Sequence, residues 1–235
     1  GSLAESKKAW RSFTDLVLKH GIGIQSLELG KTQMNLSRAK DVVNFVQDPS
    51  IALSRLGLGE SKWSFCEMKA FLWMGGFSQS QNLTRLSLSD ATLCANSRRL
   101  LLEHMAKKES KIRVFSSGIV EFSDGELIGL FEHMQTRESN LLSVVLSNQT
   151  LSKKGSEYLA KVIGQSETLR HLAVINCWFD REILEEKMLK GKVPNIYIEA
   201  ITAGQIQTMA EIFTTKGYEI EREVSRHRIK LKLPN

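Results

Sequence analysis

The stretch Leu101-Leu102-Glu103-His104-Met105-Ala106-Lys107-Lys108-Glu109-Ser110 returns as Leu130-Phe131-Glu132-His133-Met134-Gln135-Thr136-Arg137-Glu138-Ser139, 29 residues later. Leu, Glu, His, Met, Glu and Ser recur in place. Self-similarity at a period of about 20 to 50 residues marks one structural unit laid down repeatedly, and it must be recognised before any element is assigned. Moving outward by the same step exposes a second recurring pattern, an aliphatic or aromatic triplet spaced as L-x-x-L-x-L. It reads Ile24-Leu27-Leu29, Leu53-Leu56-Leu58, Leu83-Leu86-Leu88, Ile112-Phe115-Ser117, Leu141-Val144-Leu146, Leu169-Leu172-Val174 and Val193-Ile196-Ile198. The first positions lie 29, 30, 29, 29, 28 and 24 residues apart.

Five residues after each triplet stands another apolar side chain: Met34, Trp63, Leu93, Phe122, Leu151 and Phe179, with Ala203 breaking the pattern in the last unit. Apolar pairs four apart follow, as in Val42 with Val46, Leu101 with Met105, Leu130 with Met134 and Leu159 with Ile163. Alternation puts two side chains on one face of a strand, and a spacing of four puts two on one face of a helix. Each unit therefore reads as strand, turn, helix.

These residues carry a family resemblance. The chain resembles the leucine-rich repeats, and a unit near 29 residues with a true helix resembles the ribonuclease-inhibitor-like class, over about residues 10 to 200. The resemblance implies an α/β solenoid, curved, with a parallel β-sheet on the concave face and helices on the convex face. In the family an Asn or Cys three residues past the last strand leucine satisfies the turn. Here those positions hold Thr32, Ser61, Ala91, Val120, Gln149 and Cys177. Ala91 and Val120 offer no side-chain hydrogen bond, so their turns are expected to be less regular.

Three regions follow: an N-terminal helix in residues 3–22, a partial repeat or cap; repeats through residues 23–202; and a C-terminal cap in 203–235. Shifting Val42 and Val46 back by one period lands on Phe13 and Val17, so Lys7 to Lys19 reads as the helix of a unit whose strand is missing. The opening Gly1-Ser2 has the look of a tag-removal scar, which predicts a fragment of a longer chain. Gln205 to Thr215 reads as a helix ending at Gly217. Alternation over Tyr218 to Val224 and Arg228 to Leu233 reads as a β-hairpin closing the sheet edge with charged residues.

Among 235 residues, 42% are hydrophobic, enough to bury a core. No window reaches the roughly 18 uninterrupted apolar residues of a membrane span, and no signal peptide is evident. The expectation is a soluble intracellular protein, cytoplasmic or nuclear. Cys66, Cys94 and Cys177 are odd in number and lack metal-type spacing. His104 and His133 read as a duplicated surface residue, because adjacent helices hold them too far apart to share one zinc ion. Gly21-x-Gly23 and Gly57-x-Gly59 lack the rest of a phosphate-binding fingerprint. With no catalytic motif, the chain reads as a non-enzyme with no cofactor, no metal site and no small-molecule substrate. The sequons at Asn35, Asn82 and Asn148 matter only in a secreted protein.

The residues between the inward leucines must project from the strand face. Its front half is small and polar, with Arg55 and Arg85; the later half holds Val145, His171, Ile175, Tyr197 and Glu199. The apolar members either form an interaction patch or lie beneath the cap or a loop. Trp73 falls where other repeats carry Asn44, Glu103, Glu132 and Lys161. It is therefore expected on the helix surface, as a binding anchor or packed against Phe77. The expected function is binding of a protein partner through the concave face, as an adaptor or regulatory scaffold. The alternatives are substrate recognition within a ubiquitin-ligase receptor, or RNA binding by the basic cap residues Arg222, Arg226, Arg228 and Lys230, a less favoured partner at a net charge of +6.

Overall fold

The computed structural model describes residues 7–20, 23–188, 191–200, 203–222 and 227–234. Eight helices alternate with mostly parallel strands among the described residues, an α/β arrangement. The chain divides into two compact units, Gly1–Val120 and Glu121–Asn235.

The first unit runs α1 (Lys7–His20), β1 (Ser26–Glu28), α2 (Leu36–Gln47), β2 (Arg55–Gly57), β3 (Lys62–Trp63), α3 (Phe65–Trp73), β4 (Arg85–Ser87), β5 (Thr92–Leu93), α4 (Ala95–Met105) and β6 (Val114–Ser116). Strands β1, β2, β4 and β6 pair in parallel in that order, and the two-residue β3 and β5 pair separately. Leu27, Leu56, Leu86 and Phe115 stand in one register row and are buried. Helices α2, α3 and α4 pack side by side on these residues through Val42, Val46, Met68, Phe71, Leu101 and Met105. Helix α1 extends the helical layer. Val17 is buried, Phe13 meets Phe45 edge-on at 5.7 Å, and the Trp10 indole donates to Asp41 at 2.8 Å.

The second unit runs α5 (Asp124–Met134), β7 (Ser143–Ser147), α6 (Lys153–Gln165), β8 (His171–Ile175), α7 (Arg181–Lys187), β9 (Asn195–Glu199), α8 (Ala203–Thr215), β10 (Glu219–Arg222) and β11 (Arg228–Lys232). Strands β7, β8 and β9 are parallel; β11 joins β9 antiparallel, and β10 lies outside β11. Leu172, Val174, Ile196, Ile198, Ile229 and Leu231 form the apolar side of this sheet. The hairpin is thus a lateral extension of the sheet, and α8 packs on it through Met209, Ile212 and Phe213. Positions 223–224, which alternation placed in the first hairpin strand, lie outside the described residues.

In α2 to α7 the N-cap follows the apolar turn residue directly, and the helix begins one residue further on: Asn35, Ser64, Cys94, Ser123, Ser152 and Asp180 are the caps. Asn35 accepts from the Arg38 amide at 2.9 Å and Asp180 from the Ile183 amide at 3.1 Å. Such a cap contributes about 0.5–2 kcal/mol by satisfying an amide that the first helical turn leaves open. At Ser123 a capping box forms, in which Glu126 Oε2 accepts from the Ser123 amide at 2.6 Å. A second recurring device occupies the way back to the strand. Ser80, Ser110, Ser139 and Ser166 are all buried. Three of them accept an amide hydrogen bond from the residue entering the next strand segment, namely Ile112, Leu141 and Leu169. Buried serines are tolerated there because each hydroxyl meets an otherwise unpaired backbone group.

The turns correct one expectation. Those of Ala91 and Val120 are as regular as the others: the Ala91 amide donates to Leu88 O at 2.8 Å and the Val120 amide to Ser117 O at 3.2 Å, matching Ser61 to Leu58 at 3.1 Å. A residue with positive φ makes the bend in every case: Gly30, Gly59, Ser89, Gly118, Asn148 and Asn176. The backbone conformation defines the turn, and the side chain three residues past the strand is an addition to it. Thr32 and Ser61 hydroxyls do donate to Leu29 O and Leu58 O, while Gln149 accepts the Phe122 amide at 3.0 Å.

Candidate functional site

Strand alternation leaves one sheet face turned away from the buried leucines in each unit. In the first unit this face holds two register rows. One is Ser26, Arg55, Arg85 and Val114; the other is Glu28, Gly57, Ser87 and Ser116. Arg55, Arg85 and Glu28 are exposed, and these residues border a shallow hollow. Gly57 has a specific reason to be glycine. A Cβ there would occupy the space of the Glu28 carboxylate, which lies across the Gly57 backbone. Glu28 Oε1 accepts from Ser89 Oγ at 3.4 Å, and Ser89 Oγ lies 3.1 Å from Ser87 Oγ.

In the second unit the strands are two residues longer and the face holds three rows. They read Ser143, His171, Asn195, Lys232; then Val145, Ala173, Tyr197, Lys230; then Ser147, Ile175, Glu199, Arg228. Val145, Ala173, Ile175 and Tyr197 are half-buried, and His171 is exposed. The cap does not lie over Val145, Ile175 or Tyr197, because β11 stands beside β9 as the next strand. Among the described residues the hairpin strands therefore extend the sheet sideways and do not lie over this patch.

The basic cap residues face a different situation. Arg228 forms an ion pair with Glu199 at 3.1 Å, and Lys230 with Glu221 at 3.1 Å. Tyr197 Oη also donates to Glu199, at 3.3 Å. Both cations are thus matched by carboxylates of the same sheet, which leaves little net charge for a phosphate backbone. Arg222 closes β10, and Arg226 lies outside the described residues.

Trp73 sits on the helix surface, 67% exposed. Phe77 does not cover it; Phe77 is buried against Phe71 with ring centroids 5.4 Å apart. The contact the Trp73 ring does have is a cation–π stack, with Lys69 Nζ 4.1 Å from its centroid. His104 and His133 are both partly buried, and burial lowers the pKa of each from the ordinary value of 6.5. Cys177 is pushed up to about 11 by burial, so its thiol stays protonated at neutral pH. Among the described residues no group of three or more His, Cys, Asp or Glu side chains could hold a metal ion.

A further hollow in the second unit escaped the sequence reading. It lies at the carboxyl ends of β8 and β9, bordered by Val174, Cys177, Trp178, Phe179, Ile198 and Met209. Trp178 is 63% exposed. Its signal was the run Cys177-Trp178-Phe179, where an aromatic pair meets the shortened last period.

The chain matches no family model, and no curated protein matches it. No helix among the described residues is long and apolar enough to cross a membrane.

Proposed function

We propose that this chain is a leucine-rich-repeat solenoid of the ribonuclease-inhibitor-like class that acts as a protein-interaction domain inside the cell. A partner docks on the strand face opposite the helices, and the domain serves as an adaptor or regulatory scaffold. The strand, positive-φ turn and capped helix recurring through both units support the family reading. The observation that carries the functional reading is the three-row face of the second unit. Its central apolar residues, the half-buried Val145, Ala173, Ile175 and Tyr197, stand on the side away from the core, and among the described residues no helix or strand is laid over them. Repeat arrays use such extended sheet faces for recognition, and partly exposed aromatic and aliphatic side chains framed by polar ones are the usual anchors of an interface. The reading assigns the chain no reaction. It is preferred to RNA binding because Arg228 and Lys230 are already paired with carboxylates.

The test is affinity capture from native extract with the wild-type domain and with Ile175→Ser combined with Tyr197→Ala. The expected outcome is loss of a specific protein from the variant at a melting temperature within a few degrees of wild type. Equal recovery of every captured protein by the two forms would count against the reading.

A further inference from the structure

Arg55 and Arg85 face one another in register on adjacent parallel strands, β2 and β4. Neighbouring strands stand about 4.8 Å apart, so the two arginines project from adjacent positions of one exposed face. Like charges directly opposite one another in a sheet are destabilising. A folded protein ordinarily relieves such a pair with a carboxylate, as Arg228 is relieved by Glu199 in the second unit. Here, among the described residues, neither guanidinium has a hydrogen-bond or ion-pair partner. The nearest acid on the same face, Glu28, is turned instead over Gly57 toward Ser89. The pair is thus a like-charged couple on the strand face that the chain's own carboxylates do not neutralise.

We infer that the Arg55–Arg85 pair receives a carboxylate from an acidic, extended segment of a partner protein. The inference rests on the strand-face reading above and names the chemistry of the partner there. Three observations select a protein carboxylate. Planar guanidinium forks match a carboxylate bidentately, and two forks at one strand spacing can share its two oxygens. The hollow also contains Glu28, so two arginines and one glutamate leave it with a single net positive charge, equal and opposite to one carboxylate. A phosphate dianion or a phosphodiester chain would meet the Glu28 carboxylate at close range. The flanking hydroxyls of Ser26, Ser87 and Ser116, and the Glu28 carboxylate itself, supply acceptors and donors for the main chain or a polar residue next to the bound acid.

A library of random dodecapeptides displayed on phage, selected at low salt on the purified chain, tests this. The expected pool is rich in Asp and Glu, and its best peptides, resynthesised with a fluorophore, bind Arg55→Gln/Arg85→Gln at least tenfold more weakly than wild type. The Lys pair, Arg55→Lys/Arg85→Lys, keeps the charge without the fork and should fall between the two. Both positions are exposed, and removing a like-charge pair should leave the melting temperature at or slightly above wild type. A pool without acidic sequences, acidic peptides held equally by the Gln pair, or a ten-nucleotide oligouridylate that outcompetes them would each overturn the inference. Peptides lost by Ile175→Ser/Tyr197→Ala and kept by Arg55→Gln/Arg85→Gln overturn the arginine site while supporting the strand face. Peptides indifferent to both variants overturn both.

Discussion

The two units use one plan with different turns. In the first, three-residue strands are followed by a positive-φ residue directly after the last position of each triplet: Gly30, Gly59, Ser89 and Gly118. In the second, five-residue strands run on before the bend, which falls one residue later at Asn148 and Asn176. The cause lies in how closely successive turns approach. A Cβ on Gly59 would stand 2.6 Å from the Gly30 amide nitrogen, and one on Gly118 would collide with the Ser89 carbonyl. At Gly59 and Gly118, with backbone against backbone, there is no room for a side chain, whereas Ser89 carries one at the equivalent bend. Asn148 and Asn176 carry side chains, and Asn tolerates the left-handed region better than other non-glycine residues. The longer strands give the second unit its third row of face residues, and with it Ile175 and Glu199. Turn chemistry thus sets how many rows of strand face each unit presents.

This contrast can be broken at the turns. Gly118→Ala adds a methyl group against backbone at positive φ and should lose about 3 kcal/mol or more, by the combined cost of strain and overpacking. Asn148→Ala keeps the space but loses the residue type suited to the bend, and about 1 kcal/mol is expected. Urea unfolding of the two variants measures both. Equal losses would show that close turn packing is not what separates the units.

A smaller difference concerns the duplicated histidines. Burial is the largest cause lowering the pKa of both; at His104 Lys107, whose Nζ is 3.4 Å from His104 Nε2, adds to it while Glu103 opposes it, and at His133 Glu138 opposes it. A histidine whose folded pKa lies below 6.5 is protonated first in the unfolded chain. Stability from these sites is therefore fully present above that value and declines as pH falls through it. His104→Gln and His133→Gln should each flatten the loss of stability between pH 7.5 and 5. Urea midpoints whose pH dependence neither substitution changes would contradict this.

All seven strands bearing the leucine triplets, and helices α1, α2, α4, α5, α6 and α8, were legible because apolar side chains recur at the spacing each element imposes. The helix surface position of Trp73 followed from its aligned counterparts. What the apolar pattern could not carry was polar. Asn35, Ser123 and Asp180 recur as N-caps and Ser110 and Ser139 as buried turn hydroxyls, yet each acts on backbone groups that only the folded geometry locates. Ala91 and Val120 misled for the same reason, since the positive φ of Ser89 and Gly118 forms those bends. Arg55 and Arg85 were visible as face residues; their register and their lack of an acid required coordinates. The period runs through residue 120 unbroken, so nothing in the pattern marks the division between the units.

The most direct measurement of the central claim is photo-crosslinking in native extract. Benzoylphenylalanine would be placed at Ser116 and Ala173 on the strand faces, and at Glu132 and Lys153 on the helices α5 and α6. The account predicts a covalent adduct to a partner protein from the strand-face positions and none from the helix positions. Adducts from Glu132 or Lys153, with Ser116 and Ala173 silent, would contradict it.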